Sequence, residues 1–471
     1  MTTLGAALLR NTLSSLGGRI FSLLLGVATF AVLARTVGSE GLGQYRTVLT
    51  LLLLAGTIVD LGLYAITLQA LSRAEGERHG MLGSVVGLRI SATAVAVVLT
   101  GLLVPAMGFD ATVQRGIFIA GLGWIGYQLN EVLRAVFQQQ LAQHEGAMAE
   151  SAGALLTFVL ILVCGAMALG VDAVLAGTAA GMVLTAALAW WLAARRLPFQ
   201  PDFSLASWKA LMVAGLPFAG STLLSVVHVR LDILLLAVLR TPMEVGLYDL
   251  PAKLYELLVM APYLFGGLLM PLFVRDLEGP TRTPGPRLQA ALGLVLLFDL
   301  FALAAFLVHA EQIAVLFGGE QFSASGMPLR ILGVAAVFGG AGAIMRYAAT
   351  ALNRGRQMMH VDLISLIVAA IVHAVFIPRY GVIGAAFGKL AGDVVRVVLG
   401  LRLLRDHLPR AAWRITAIAC VVAAALAAAL WLLRSFEVHW MIATALCGLV
   451  AMGACYALPP VRRTLAVISA H

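Results

Sequence analysis

The chain is 471 residues long, with 61% of its positions hydrophobic and only 12% charged, and its mean hydropathy is +0.96. A soluble domain carries about 25% charged residues, so this composition leaves too little polar surface to face water and excludes a soluble enzyme or binding module. The net charge of +9 rests mainly on arginine, the only lysines being Lys209, Lys253 and Lys389. It is spread through short loops between apolar runs, which is a membrane-topology pattern and not a nucleic-acid footprint.

Each apolar run is long enough to cross a ~30 Å hydrocarbon core. In chain order the predicted spans cover 14–37, 43–71, 81–107, 114–138, 148–169 and 173–194, then 212–239, 246–276, 288–310, 327–352, 357–377 and 383–404, and finally 412–433 and 440–458. The expected fold class is all-α, a polytopic membrane protein of about fourteen transmembrane helices. The first run follows Arg10 and Arg19 and is too long for a signal-peptide core. Cys164, Cys420, Cys447 and Cys455 all fall inside spans, where thiols behave as small hydrophobes. They give neither a disulfide framework nor metal-ligand spacing.

With the N-terminus in the cytoplasm, the inner loops collect Arg73 and Arg78, Arg195 and Arg196, Arg282 and Arg287, Arg354 and Arg356, Arg405 and Arg410, and Arg462 and Arg463. The reverse orientation would invert that bias. Both termini are expected to be cytoplasmic.

An internal repeat is visible by eye. Glu40-Gly-Leu-Gly43-Gln-Tyr45 returns as Glu244-Val-Gly246-Leu-Tyr248, and Gly170-Val171, Gly177, Ala180-Gly181 and Val183 align on Gly381-Val382, Gly388, Ala391-Gly392 and Val394. Small residues at such spacing let membrane helices approach closely, but two matches at nearly one offset indicate more than general packing. The expectation is two pseudo-symmetric six-helix lobes, 1–197 and 198–405, with two further helices and a tail in 406–471. An even number of spans per repeat relates the lobes by an axis along the membrane normal, as in one transporter architecture. Between them, Arg195 to Lys209 reads as a cytoplasmic linker on the membrane surface. Gly279–Pro286 reads as a turn-rich cytoplasmic loop.

Several fragments carry a resemblance. Gly215-Leu-Pro217, Arg230-Leu-Asp232, Val245-Gly-Leu-Tyr248, Ala252-Lys253-Leu, Leu316-Phe-Gly-Gly-Glu-Gln-Phe322 and Ile377-Pro-Arg-Tyr-Gly381-Val-Ile-Gly384-Ala-Ala386 together resemble the polysaccharide-biosynthesis flippase family. Leu33-Ala-Arg35, Gly43-Gln-Tyr45 and Asp60-Leu-Gly-Leu63 extend the resemblance through the N-terminal half. It implies membership of the superfamily of multidrug, oligosaccharidyl-lipid and polysaccharide exporters. The function implied is flipping of an undecaprenyl-pyrophosphate-linked oligosaccharide from the cytoplasmic to the periplasmic leaflet of a bacterial inner membrane, by alternating access. The implied partners are that lipid-linked oligosaccharide, the lipid bilayer and other polysaccharide-assembly proteins, with no nucleic acid, no cofactor and no metal. Many relatives carry Asn where this chain has His373, so no role of that Asn is carried over.

Charges inside a bilayer cost about 2.5–3.5 kcal/mol on insertion scales and usually face a cavity or a partner. At 1.5 Å per residue, Arg230, Lys253, Asp299 and Asp393 fall at similar depth, suggesting a polar chamber between lobes. Lys253/Glu256 and Lys389/Asp393 are spaced to share a helix face. In the repeat, Lys389 and Asp393 align with Thr178 and Met182, and Lys253 and Glu256 with Thr50 and Leu53, so the same packing is achieved there without charge. Arg19 and Arg89 lie near the cytoplasmic end, where a planar guanidinium suits a pyrophosphate; snorkelling to the interface is the competing reading. The candidate cations for substrate are Arg19, Arg89, Arg230, Lys253 and Lys389. Asp60, Glu131, Asp232, Glu256, Asp299 and Asp393 are candidates for coupling or for charge pairing. Pro217, Pro251 and Pro262 are expected to kink or unwind spans 7 and 8.

Three other functions stay open. A peptidoglycan-precursor flippase shares fourteen spans and a cationic cavity. A cation-coupled drug exporter generally stops at twelve spans. A membrane glycan polymerase or ligase usually needs a sizeable outer loop, and the longest outer loop expected here, 311–326, is short; no catalytic triad, metal cluster or phosphate loop stands out, so no enzyme is expected.

Overall fold

The computed structural model describes residues 2–60, 63–71, 75–278, 283–407, 428–431 and 440–442. Predicted spans 13 and 14 lie almost wholly outside them. The described secondary structure is helical, with no strand among those residues. The chain forms two compact units, Met1–Gly246 and Leu247–His471.

In the first unit the helices are α1 (Thr2–Asp60), α2 (Leu63–Leu71), α3 (Glu75–Leu103), α4 (Ala111–Gln139), α5 (Gln143–Ala166), α6 (Val171–Arg196) and α7 (Leu205–Leu239). Helix α1 holds span 1 and most of span 2. They part at Gly38, whose φ of 72° lies in the left-handed region that glycine adopts without steric cost. Asp110 caps α4, its carboxylate accepting from the Val113 N–H at 2.8 Å. Helices α5 and α6 approach through a reciprocal pair of glycines. A Cβ on Gly153 would lie 1.8 Å from Thr185 Oγ1, and one on Gly181 would lie 1.9 Å from Thr157 Oγ1, so each threonine fills the notch its neighbour's glycine leaves.

The repeat glycines behave in the same way. A Cβ on Gly43 would fall 1.7 Å from the Pro242 carbonyl oxygen, and one on Gly246 would fall 1.7 Å from that of Ser39. The two copies of the sequence fragment thus touch backbone to backbone.

The connection from α6 to α7 is a strap laid along α3. The Asp202 N–H donates to the Gly83 carbonyl at 3.0 Å, Ser84 Oγ donates to the Asp202 carboxylate at 2.7 Å, and Trp208 Nε1 donates to the Asp202 carbonyl at 3.1 Å. The hydrogen bond from Ser84 is the main reason the Asp202 carboxyl sits below its usual range. Gly83 and Gly87 leave room for the strap's carbonyls: added Cβ atoms would sit 2.0 Å from those of Gln200 and Asp202. Below it, Leu197 and Leu211 join the buried cluster of α2, α3, α4 and α6. A surface linker was expected; the strap is a packed part of the unit. At the same end Arg196 holds Glu145 bidentately at 2.7 and 2.5 Å.

The second unit contains most of α8 (Pro242–Glu278), then α9 (Gly285–Gly318), α10 (Gly326–Ala351), α11 (Gly355–Tyr380) and α12 (Val382–Leu404). Helix α8 runs unbroken through Pro251, Pro262 and Pro271, and α7 is helical across Pro217. The expected unwinding at these prolines is therefore absent; a membrane helix can carry proline where neighbouring groups re-satisfy the freed carbonyls. The break falls instead in α9 at His309, with φ −116° and ψ 20°. The expected outer loop at 311–326 is the end of α9 followed by a 3-10 turn, Glu320–Ser325. It is tied down by Ser325 Oγ, which donates to the Leu247 carbonyl at 2.8 Å.

Among the described residues, eight helical stretches are long and apolar enough to cross a membrane. Helices α4, α7 and α12 are outside that set, α4 and α12 because of the polar and charged residues they carry. Those residues build the polar clusters of the two units.

Candidate functional site

In the second unit the polar cluster is a ladder of alternating charge. Arg346 on α10 grips Asp362 on α11 with both Nη atoms, at 2.6 and 3.0 Å. Arg396 on α12 donates to the same carboxylate at 3.2 Å and to Asp393 at 2.7 Å. Asp393 accepts the Tyr255 hydroxyl of α8 at 2.6 Å, and the Lys389 ammonium lies 5.2 Å from the centre of the Tyr255 ring, within cation–π reach. Glycines on α10 make the approach possible: a Cβ on Gly342 would meet Arg396 Cδ at 3.0 Å, and one on Gly339 would meet the Tyr255 hydroxyl at 2.8 Å. Three cations face two carboxylates, so Arg346, Arg396 and Lys389 leave one positive charge uncompensated within the ladder.

The candidates from sequence are distributed as follows. Lys253 and Glu256 form the expected pair on one face of α8, at 3.6 Å and half-exposed. Lys389 and Asp393 share α12, but Asp393 pairs with Arg396, while Lys389 turns to Tyr255. Asp299 on α9 is fully buried against Gly340, a Cβ on which would be 2.0 Å from its Oδ2. Neither Asp299 oxygen has a hydrogen-bond partner among the described residues. Asp232 on α7 is buried and accepts the Ile233 N–H at 2.8 Å. Arg230 is partly exposed on the same helix.

In the first unit, Arg89 lies deep in the bundle, its side chain 3% exposed. It bonds Asp60 at 2.6 Å and donates Nε to the Gln128 carbonyl at 3.2 Å. The guanidinium that sequence alone offers to a pyrophosphate is therefore engaged in joining α1, α3 and α4. Arg19 lies in the first part of α1, where side-chain surroundings are outside the described residues.

Glu131 meets Arg134 at 3.0 Å on α4, and Arg134 meets Glu150 of α5 at 3.6 Å. These groups line an open cavity of about 430 Å³ bordered by α1, α4, α5 and α6, to which Thr178 and Met182 also contribute. Thr178 and Met182 are the repeat partners of Lys389 and Asp393. Arg134 and Glu150 are separated by the same sixteen residues as Arg346 and Asp362. One ion pair is thus built twice, once beside an open cavity and once inside a filled charge ladder. Sequence reasoning missed Arg346, Asp362, Arg396 and Glu150. For Arg346, Asp362 and Glu150 the one available signal was this repeated sixteen-residue spacing, which pairs residues only once consecutive helices are known to run antiparallel; Arg396 carried none.

A bundle of long membrane helices with polar groups placed at depth and an internal repeat defines a membrane transporter. Residues 8–275 match the family described as Polysaccharide biosynthesis protein, and the chain belongs to that family. No curated protein matches it. Solved structures share its fold. The lipid II flippase MurJ in an inward closed conformation is 13% identical with a TM-score of 0.77, covering 95% of this chain and 99% of its own. An inward-facing multidrug resistance MATE transporter of the MOP superfamily is 18% identical with a TM-score of 0.61, covering 84% and 95%. The Vibrio cholerae MATE transporter VcmN in its bent form is 16% identical with a TM-score of 0.52, covering 90% and 98%.

Proposed function

We propose that this protein flips a lipid-linked oligosaccharide, carried on a polyprenyl pyrophosphate such as undecaprenyl pyrophosphate, from the cytoplasmic to the periplasmic leaflet of a bacterial inner membrane. Movement is by alternating access of two six-helix lobes, 1–197 and 198–405. The observation that carries this reading is the family match over residues 8–275. The cations on α7, α8 and α12 supply what the anionic end of such a lipid requires: a pyrophosphate moved through a low-dielectric interior needs compensating positive charge. Arg230, Lys253 and Lys389 take that role, with Arg89 reassigned to structure. Bond chemistry is not part of the proposal.

The test is to delete the gene and identify which lipid accumulates in the inner leaflet. Accumulation of a polyprenyl-pyrophosphate oligosaccharide is expected, and an unchanged lipid-linked glycan pool overturns the proposal. The fold likeness to a lipid II flippase favours a second reading, movement of the peptidoglycan precursor. Accumulation of that precursor alone selects it.

A further inference from the structure

The cavity of the first unit differs in hydrogen-bonding character from the cationic groups just assigned. Thr29, Thr157 and Thr185 line it, and each donates its only hydroxyl hydrogen to the carbonyl four residues back, at 2.7, 3.0 and 3.0 Å. What such a threonine can still offer to the cavity is a lone pair. Asn130 lines the same space and is 4% exposed. Its Nδ2 points to Glu150 at 3.5 Å, and its Oδ1 is buried with no hydrogen-bond partner among the described residues. A buried acceptor left unmet keeps its full desolvation penalty, so this oxygen marks where a donor is missing. Glu131 and Glu150 set two negative charges against the one positive charge of Arg134. The lining is acceptor-rich with a net charge of −1, unsuited to a phosphate.

Its size narrows the occupant. About 430 Å³ lies within the roughly 300–1,000 Å³ of small-molecule sites and far exceeds the ~30 Å³ share of one water. Tyr127, which also lines it, stacks on Trp124 at 4.7 Å between ring centres, giving a flat apolar wall beside the acceptors. We infer that this cavity is a binding subsite for a single sugar ring rich in hydrogen-bond donors, a hexosamine before a plain hexose. It receives part of the glycan while the cations assigned above receive the pyrophosphate. The inference rests on the proposed function and gives it a second, chemically opposite site.

The test is isothermal titration of the full chain in lipid nanodiscs, with no lipid substrate present, using glucosamine, glucose, permethylated glucose and sodium chloride as separate probes. Saturable binding of glucosamine at least tenfold tighter than glucose is expected, with no binding of permethylated glucose, which keeps its acceptors and has no hydroxyl donors. Asn130→Ala should weaken glucosamine binding tenfold or more and Glu150→Gln should remove the preference for the amine, with unfolding temperatures near that of the parent. Lys209→Ala should change nothing. Equal binding of permethylated glucose, no saturable sugar binding, sugar binding unchanged in both cavity variants, or sodium alone displacing glucosamine would each overturn the subsite. Because no flipping is measured, sugar binding that persists when no lipid-linked glycan accumulates on gene deletion removes the proposed function and leaves the subsite. Loss of sugar binding with that accumulation intact does the reverse.

Discussion

Lys253 meets Glu256 on its own helix at 3.6 Å with both side chains half-exposed, whereas Asp362 receives guanidiniums from both α10 and α12 and is largely enclosed. The two sites therefore answer mutation differently. An exposed pair contributes about 0–1 kcal/mol, so Lys253→Ala should leave expression and unfolding temperature near normal while reducing flipping in a reconstituted assay. Lys253→Arg should retain more activity than Lys253→Gln, because a diffuse anion contact depends on charge more than on shape. Asp362→Ala takes from Arg346 its carboxylate and leaves Arg396 with Asp393 alone, and should cost about 3–5 kcal/mol of stability, read as a lower unfolding temperature or failed insertion. Rescue of a misfolded Lys253→Ala by a second change, Glu256→Ala, with transport restored, would move Lys253 from the substrate role to a structural one.

At the level of elements, the strap between α6 and α7 depends on the absence of two side chains. A Cβ on Gly87 would fall 2.0 Å from the Asp202 carbonyl oxygen and 2.8 Å from its carbon, while one on Gly80, in the same helix, would meet nothing within 4 Å. The obstacle at Gly87 is backbone, which cannot rotate aside. Gly87→Val should therefore lift the strap, costing about 1–3 kcal/mol as overpacking does, and free the backbone at the exposed Arg195, Arg196 and Lys209 for faster cleavage by trypsin. Gly80→Val should leave cleavage at the parent rate, and equal rates for the two variants would place the strap's stability elsewhere. The spans themselves were legible because hydropathy depends on composition averaged over a window, to which exposed and buried apolar positions contribute alike. The strap was not, because its hold lies in hydrogen bonds and in two glycines that sequence reads as ordinary membrane packing. Proline misled for a related reason: in α8 the helix continues through three of them, and the break appears at His309, which has no sequence mark.

For the whole molecule, the internal repeat was the most informative sequence feature, because it carries both architecture and chemistry. It aligned Lys389 with Thr178 and Asp393 with Met182, and the two positions that lack charge border the open cavity of the first unit. The Arg134–Glu150 and Arg346–Asp362 pairs were illegible as pairs, since residues sixteen apart meet only once two helices are known to run antiparallel. The same geometry fixes how orientation should be tested. The turn between α3 and α4 and the turn between α4 and α5 lie at opposite ends of α4, a helix of 29 residues and so about 44 Å long at 1.5 Å per residue, enough to put its ends on opposite sides of a bilayer. The arginine bias assigns the α4–α5 end, with Arg195 and Arg196 beside Glu145, to the cytoplasm. With the four native cysteines replaced, Ala111→Cys and Gln143→Cys, both exposed at those two ends, should report it directly. A membrane-impermeant maleimide added to cells with a permeable outer membrane should label Ala111→Cys, and should reach Gln143→Cys only after the inner membrane is opened. The opposite pattern would place both termini outside and reverse the direction assigned to transport. Labelling of both sites in intact cells would mean that α4 does not span, and would undo the six-helix lobe on which the repeat depends.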